Sequence, residues 1–222
     1  MPANDGRPVE VVGVGRKAGG LFRITTSDGR RYLVADDPSA AGYLEKGAVL
    51  HGPDIDDLEG PRARAAGLIF ACALLSRRDR TESQIRSALA AEGIEDPETV
   101  GHILGSLRAK GYVDDRRYAE ETILTRKRYR PTGPGFLRRM LREAGVAAEV
   151  VEDSIERHYP GADEERIARS LAAGKLALMK GVDREKAARR MHAYLSRRGF
   201  SPGLVNDICA GVLRGDHTGE GQ

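Results

Sequence analysis

Apolar residues recur along this chain with two different periods, and the change falls near residue 61. Before it, residues 9–12, 21–25 and 31–34 are rich in β-branched or aromatic side chains. Gly19-Gly20 and Asp28-Gly29, a strong hairpin signal, separate them. These segments predict a small β-meander, followed by one or two helical turns over residues 38–45 and a short strand at 47–50. The acidic segment 53–61 reads as a linker.

Beyond residue 61 the period becomes helical. Leu68, Cys72 and Leu75 share one face of a first predicted helix. Thr81 is placed to cap a second over residues 82–91, with Ile85 and Leu89 inward, and Asp96-Pro97 starts a third that carries Val100, Ile103, Leu104 and Leu107. Gly111 closes that helix, Tyr112 and Val113 fold back on it, and Asp114 can cap the next helix, with Asp115 in its positive first turn. A second triplet follows over residues 115–129 (Tyr118, Ala119, Thr122, Ile123), 135–144 (Leu137, Met140, Leu141) and 147–158 (Val151, Ile155). A third covers 164–179 (Ile167, Leu171, Leu178), 184–198 (Ala187, Met191, Tyr194, Leu195) and a last helix from Ser201-Pro202 (Val205, Ile208, Cys209, Val212).

The ends of the middle helices repeat one motif, Leu-x-x-x-Gly-apolar: Leu89 with Gly93-Ile94, Leu141 with Gly145-Val146, and Leu195 with Gly199-Phe200. A glycine can end a helix in the left-handed conformation, and the apolar residue after it covers that end. Three such corners imply three similar modules, each gaining core by stacking on its neighbour. The fold class expected is therefore mainly α: an elongated, curved array of three tandem three-helix repeats (61–112, 113–160, 161–215). A β-rich domain (1–60) precedes the array and a disordered tail (216–222) follows it.

Composition sharpens this. Only 5% of residues are aromatic and Trp is absent, so the core is aliphatic. The longest uncharged stretch, residues 65–76, is too short for the roughly 20 residues that span a bilayer. No apolar block of signal-peptide type opens the sequence, and Cys72 and Cys209 stand in no metal or redox spacing, which together suit a cytoplasmic protein with no membrane partner. The net charge of +3 conceals an asymmetry: residues 1–60 carry 7 Lys/Arg against 10 Asp/Glu, while the remainder carries 29 against 23.

The strongest local cluster of positive charge lies in one place. Arg126, Lys127, Arg128, Arg130, Arg138, Arg139 and Arg142 come with no acidic residue among them, a composition suited to phosphates or carboxylates, although many solvated helix faces look the same. Arg77 with Arg78, and Arg197 with Arg198, form smaller clusters at helix C-termini, where cations also answer the helix dipole. Tyr129, among arginines, is better placed for single-strand stacking than Tyr118, which sits on an apolar stripe, or Tyr159.

Several catalytic readings fail on context. Gly13-Val14-Gly15-Arg16-Lys17-Ala18 matches a dinucleotide fingerprint on paper, but strand rather than helix follows it. Asp114-Asp115 could suggest a metal pair, yet adjacent side chains at a helix start diverge, and capping is the simpler account. His102, His158 and His192 have no ligand spacing, and nothing arranges a nucleophile with a base. No enzyme, metal or cofactor is expected.

Residues 65–213 resemble the RecX family. The likeness is carried by Ala73-Leu74-Leu75-Ser76-Arg77-Arg78 with Thr81-Glu82-Ser83-Gln84-Ile85, by Gly111-Tyr112-Val113-Asp114-Asp115-Arg116-Arg117-Tyr118-Ala119, by Gly133-Pro134 with Leu137 and Leu141, and by Tyr194-Leu195-Ser196-Arg197-Arg198-Gly199-Phe200. That resemblance implies a non-enzymatic cytoplasmic monomer that lodges in the groove of the RecA filament on single-stranded, and also double-stranded, DNA. It would restrain ATP turnover and strand exchange in repair and the SOS response. The alternative that the residues themselves leave open is a helix-turn-helix regulator reading duplex DNA.

Overall fold

The computed structural model describes residues 7–215 and divides the chain into two compact units, Met1–Asp114 and Asp115–Gln222. The tail expected at 216–222 lies outside the described residues.

In the first unit, strands β1 (Val9–Lys17), β2 (Leu21–Thr26), β3 (Arg31–Ala35) and β4 (Val49–Leu50) form an antiparallel sheet in the order β3-β2-β1-β4. β1 runs straight through the glycine-rich segment, paired from Val14 with Ile24 to Lys17 with Leu21, so the dinucleotide reading ends in a hairpin. A 3₁₀ segment, Pro38–Tyr43, precedes β4.

The acidic stretch expected to be a linker is instead a helix, α1 (Gly52–Glu59). Asp54 accepts from the His51 N–H at 2.9 Å, and Pro53 occupies the first turn, where its missing N–H costs nothing. Ile55 and Leu58, three apart, bury themselves with Ile24, Tyr32 and Val34 on one side of the sheet.

Helix α2 (Pro61–Leu75) covers the other side, sharing a core with Leu21 and Leu33. Its most buried face is Ala63, Ala66, Gly67 and Ala71, whereas the expected Leu68, Cys72 and Leu75 are half-buried. Small residues win here because the neighbours come close: a Cβ on Gly67 would lie 2.5 Å from the Ile103 side chain. Helices α3 (Glu82–Ala91) and α4 (Pro97–Ala109) complete this core with Ile85, Leu89, Ile103 and Leu107. Thr81 and Asp96 cap them by accepting from Gln84 N–H (3.2 Å) and Thr99 N–H (2.8 Å). The β region is thus part of the same compact unit as the first triplet.

The second unit holds α5 (Asp115–Tyr129), α6 (Pro134–Glu143), α7 (Ala148–His158), α8 (Gly161–Ala177), α9 (Arg184–Arg197) and α10 (Pro202–Arg214) around one continuous core, from Ala119 and Ile123 through Leu137, Leu141 and Val151 to Met191, Leu195 and Val205. Leu178, expected inside, follows α8 and is 82% exposed; Met179 takes the buried place.

All three middle-helix corners close in the same way. Ile94 N–H donates to Leu89 O, Val146 to Leu141 and Phe200 to Leu195, while Gly93, Gly145 and Gly199 each donate three residues back. The glycines take φ of 90°, 84° and 77°. Both bonds together make a Schellman end, and the apolar residue beyond is buried each time. Gly111 (φ 68°) closes α4 in the same geometry. There Val113 is buried, but Tyr112, expected to fold back, is half exposed, because the buried position falls one residue later.

Candidate functional site

Helix α5 ends in Arg126-Lys127-Arg128-Tyr129, cations placed where the helix dipole is negative. The next helix, α6, starts at Gly133-Pro134-Gly135, and its free N–H groups find partners on another helix end. Gly133 N–H donates to Arg198 O at 2.8 Å, and Gly135 N–H to Gly199 O at 2.9 Å. The orphan donors of α6 therefore satisfy carbonyls at the orphan end of α9. Only glycine allows the approach: a Cβ on Gly133 would sit 2.3 Å from Gly199 O, and one on Gly199 would sit 2.1 Å from Phe136 N.

This joint brings Arg197 and Arg198 of the third triplet beside Arg126 and Arg130 of the second. The four arginines, with Tyr129, Pro131, Thr132, Phe136 and Leu171, line a cavity of about 390 Å³. Arg126 and Arg139 lie over the Phe136 ring at 5.5 and 5.2 Å from its centroid, and Arg198 lies 4.4 Å from that of Tyr194. The Tyr159 hydroxyl, its pKa pushed up by burial, donates to Thr132 O at 2.8 Å and so ties down the backbone of a lining residue.

The fold also sorts the seven cations that the sequence presents as one run. Acids reach them from later helices. Lys127 donates to Asp163 and to His158 O, both at 2.6 Å, which holds the Asp163 carboxyl below its ordinary value. Arg138 and Arg142 each lie 2.7 Å from Glu152, whose pKa their hydrogen bonds lower, Arg138 most. Arg139 has only a loose pair with Glu143, at 3.9 Å. Among the described residues, Arg126, Arg128, Arg130, Arg197 and Arg198 have no acidic partner within ion-pair distance. Tyr129 is 69% exposed, with Arg128 5.2 Å from its ring centroid.

Arg77 and Arg78 are exposed just beyond α2, in the first unit. Asp114 stands immediately ahead of α5 and Asp115 in its first turn. No three His, Cys, Asp or Glu residues gather as a metal site would need, and no helix is long and apolar enough to cross a membrane, among the described residues. Sequence reading missed Pro131, Thr132, Phe136 and Leu171 as cavity residues. The signal for them was Gly133-Pro134-Gly135, which marks a close backbone approach without naming the partner.

Comparison with known proteins agrees with this architecture. Residues 114–155 match the family model for the second three-helix domain of RecX, and residues 163–209 match that for the third. A regulatory protein RecX of Mycobacterium sp. (strain JLS) is 32% identical over 74% of this chain and 90% of its own length. Its counterpart from Thermobifida fusca is 36% identical over 65% and 75%. A crystal structure of regulatory protein RecX superposes on 90% of this chain and 98% of its own with a TM-score of 0.59 at 24% identity. Another, RecX from Lactobacillus salivarius, covers 68% and 96% with a TM-score of 0.61 at 19% identity. With its glycine-cornered triplets and its sequence likeness to these regulators, the chain belongs to the RecX family.

Proposed function

We propose that this chain is a non-enzymatic regulator that binds the RecA filament on DNA, in its groove, and restrains ATP hydrolysis and strand exchange. It acts as a monomer, in the cytoplasm, during repair and the SOS response. Family membership supports the class of activity. The observation that carries the reading to residues is the joint between α6 and α9, which gathers arginines without acidic partners from two triplets into one cavity. A phosphate track or a filament surface rich in carboxylates supplies the counter-charge.

The test is titration into recombinase assembled on single-stranded DNA, following ATP turnover. The parent is expected to slow turnover at substoichiometric amounts. Arg130→Glu/Arg197→Glu, folded by circular dichroism, is expected to need at least tenfold more protein, since two repelled phosphate contacts each cost on the order of 1 kcal/mol or more. Equal potency of parent and variant would refute the assignment of these arginines. A sequence-specific footprint on duplex DNA without recombinase would instead establish the helix-turn-helix alternative.

A further inference from the structure

The cavity between α6 and α9 holds more than charge. Two of its lining residues carry a buried polar atom without a hydrogen-bond partner, the hydroxyl of Thr132, a residue 7% exposed, and the Nε of Arg198. Buried polar groups are nearly always satisfied, so two unsatisfied ones in the residues around one cavity suggest a ligand whose binding completes them. Around them stand the guanidinium groups of Arg126, Arg130 and Arg197, and at the rim the exposed Tyr129 ring. Phe136 packs under the guanidinium group of Arg126 and, from outside the cavity, that of Arg139.

Resting on the DNA-filament reading above, we infer that this cavity is a subsite for one unpaired nucleotide of a single strand. Its phosphate sits among Arg130, Arg197 and Arg198, within reach of the Thr132 hydroxyl, and its base stacks on Tyr129. A volume of about 390 Å³ is at the small end of ligand pockets, suited to one nucleotide rather than a duplex. Duplex DNA also keeps its base faces covered, so an exposed tyrosine beside the phosphate site favours a strand whose bases are free. An acidic peptide would use the arginines but leave the tyrosine face without a role.

The experiment measures binding of the full chain to a fluorescent oligothymidylate, to an abasic strand of the same length, and to both under competition by unlabelled oligothymidylate, thymidine monophosphate or polyglutamate. The parent is expected to prefer the oligothymidylate to the abasic strand by about tenfold, the scale of one stacked base. Tyr129→Ala should abolish that preference and Tyr129→Phe retain it. Thr132→Val should weaken both strands alike, and Arg130→Ala/Arg197→Ala should lower the slope of log affinity against log salt by about one to two.

Equal affinity for abasic and normal strands, or an unaltered preference in Tyr129→Ala, would overturn the subsite. Stronger competition by polyglutamate than by oligothymidylate would overturn it in favour of an acidic peptide, and parity of thymidine monophosphate with the strand in favour of a free nucleotide. Measuring recombinase ATP turnover on the same variants keeps the two ideas apart. Turnover that responds to the arginines but not to Tyr129, with no stacking preference, refutes the subsite and leaves the regulator. A stacking preference in a parent that does not alter turnover refutes the regulator and leaves the subsite.

Discussion

Glu92 shows how a single carboxylate fastens the sheet to the first triplet. It caps the end of α3, is buried, and receives Lys17 from β1 and Arg23 from β2, the Arg23 Nη2 at 2.5 Å. Burial alone would raise its pKa, but the hydrogen bonds from Lys17 and Arg23 outweigh that and hold it below the usual 4.5. A group depressed in the folded state stabilises fully above its unfolded value. The contribution therefore stands at neutral pH and fades as pH falls through 4.5 toward the lower folded value. Glu92→Gln is expected to cost about 1–3 kcal/mol in urea unfolding at pH 7, and the gap from the parent should narrow toward pH 3. A gap that stays constant over that range would contradict the clasp. None of this was legible beforehand, because Lys17 and Arg23 are separated from Glu92 by more than sixty residues. The same limit hid the neutralising of Lys127 by Asp163 and of Arg138 and Arg142 by Glu152. The run of cations could be read from the sequence; the acids that answer part of it are brought in by the fold.

Among the elements, the helix ends were the most legible part. Leu-x-x-x-Gly-apolar is a local code, since both hydrogen bonds of a Schellman end and its covering residue lie within six positions. The end of α3 follows the sequence reading for that reason. What the α6 end meets is not local. Gly133 has an ordinary φ of −75°, so its need for glycine is steric alone, whereas Gly111 has φ 68° and open space around it. These two sites separate the two costs. Gly111→Ala is expected to lose about 1 kcal/mol from backbone strain. Gly133→Ala should lose about 1–3 kcal/mol from overpacking and also strip hydrogen-exchange protection from the Gly133 and Gly135 amides. Retained protection in Gly133→Ala would mean that the joint tolerates a methyl group and does not need the close approach. Helix α1 was misread for a different reason: its acidic composition masked two inward residues, Ile55 and Leu58, that make sense only against a sheet.

For the whole molecule, the sheet is no detachable appendage. Leu21 and Leu33 belong to the same core as Ala66, Ile85 and Leu104, and β3 is buried on both faces, by α1 on one side and α2 on the other. Deleting residues 1–60 should uncover the part of the first core that Leu21 and Leu33 fill. Limited proteolysis is expected to cut residues 61–114 rapidly in the truncated chain while 115–215 stays protected around its own core. Equal protection of both would show that the first triplet stands without the sheet. In the second unit the chain joins two triplets through paired backbone ends, and that joint is what sets the arginines together. A double-mutant cycle measures this most directly, using Arg130→Ala and Arg197→Ala, singly and combined, and reading the protein concentration that halves recombinase ATP turnover on single-stranded DNA. Two arginines serving one site should couple by at least about 0.5 kcal/mol, whereas losses additive to within about 0.3 kcal/mol would contradict a shared site.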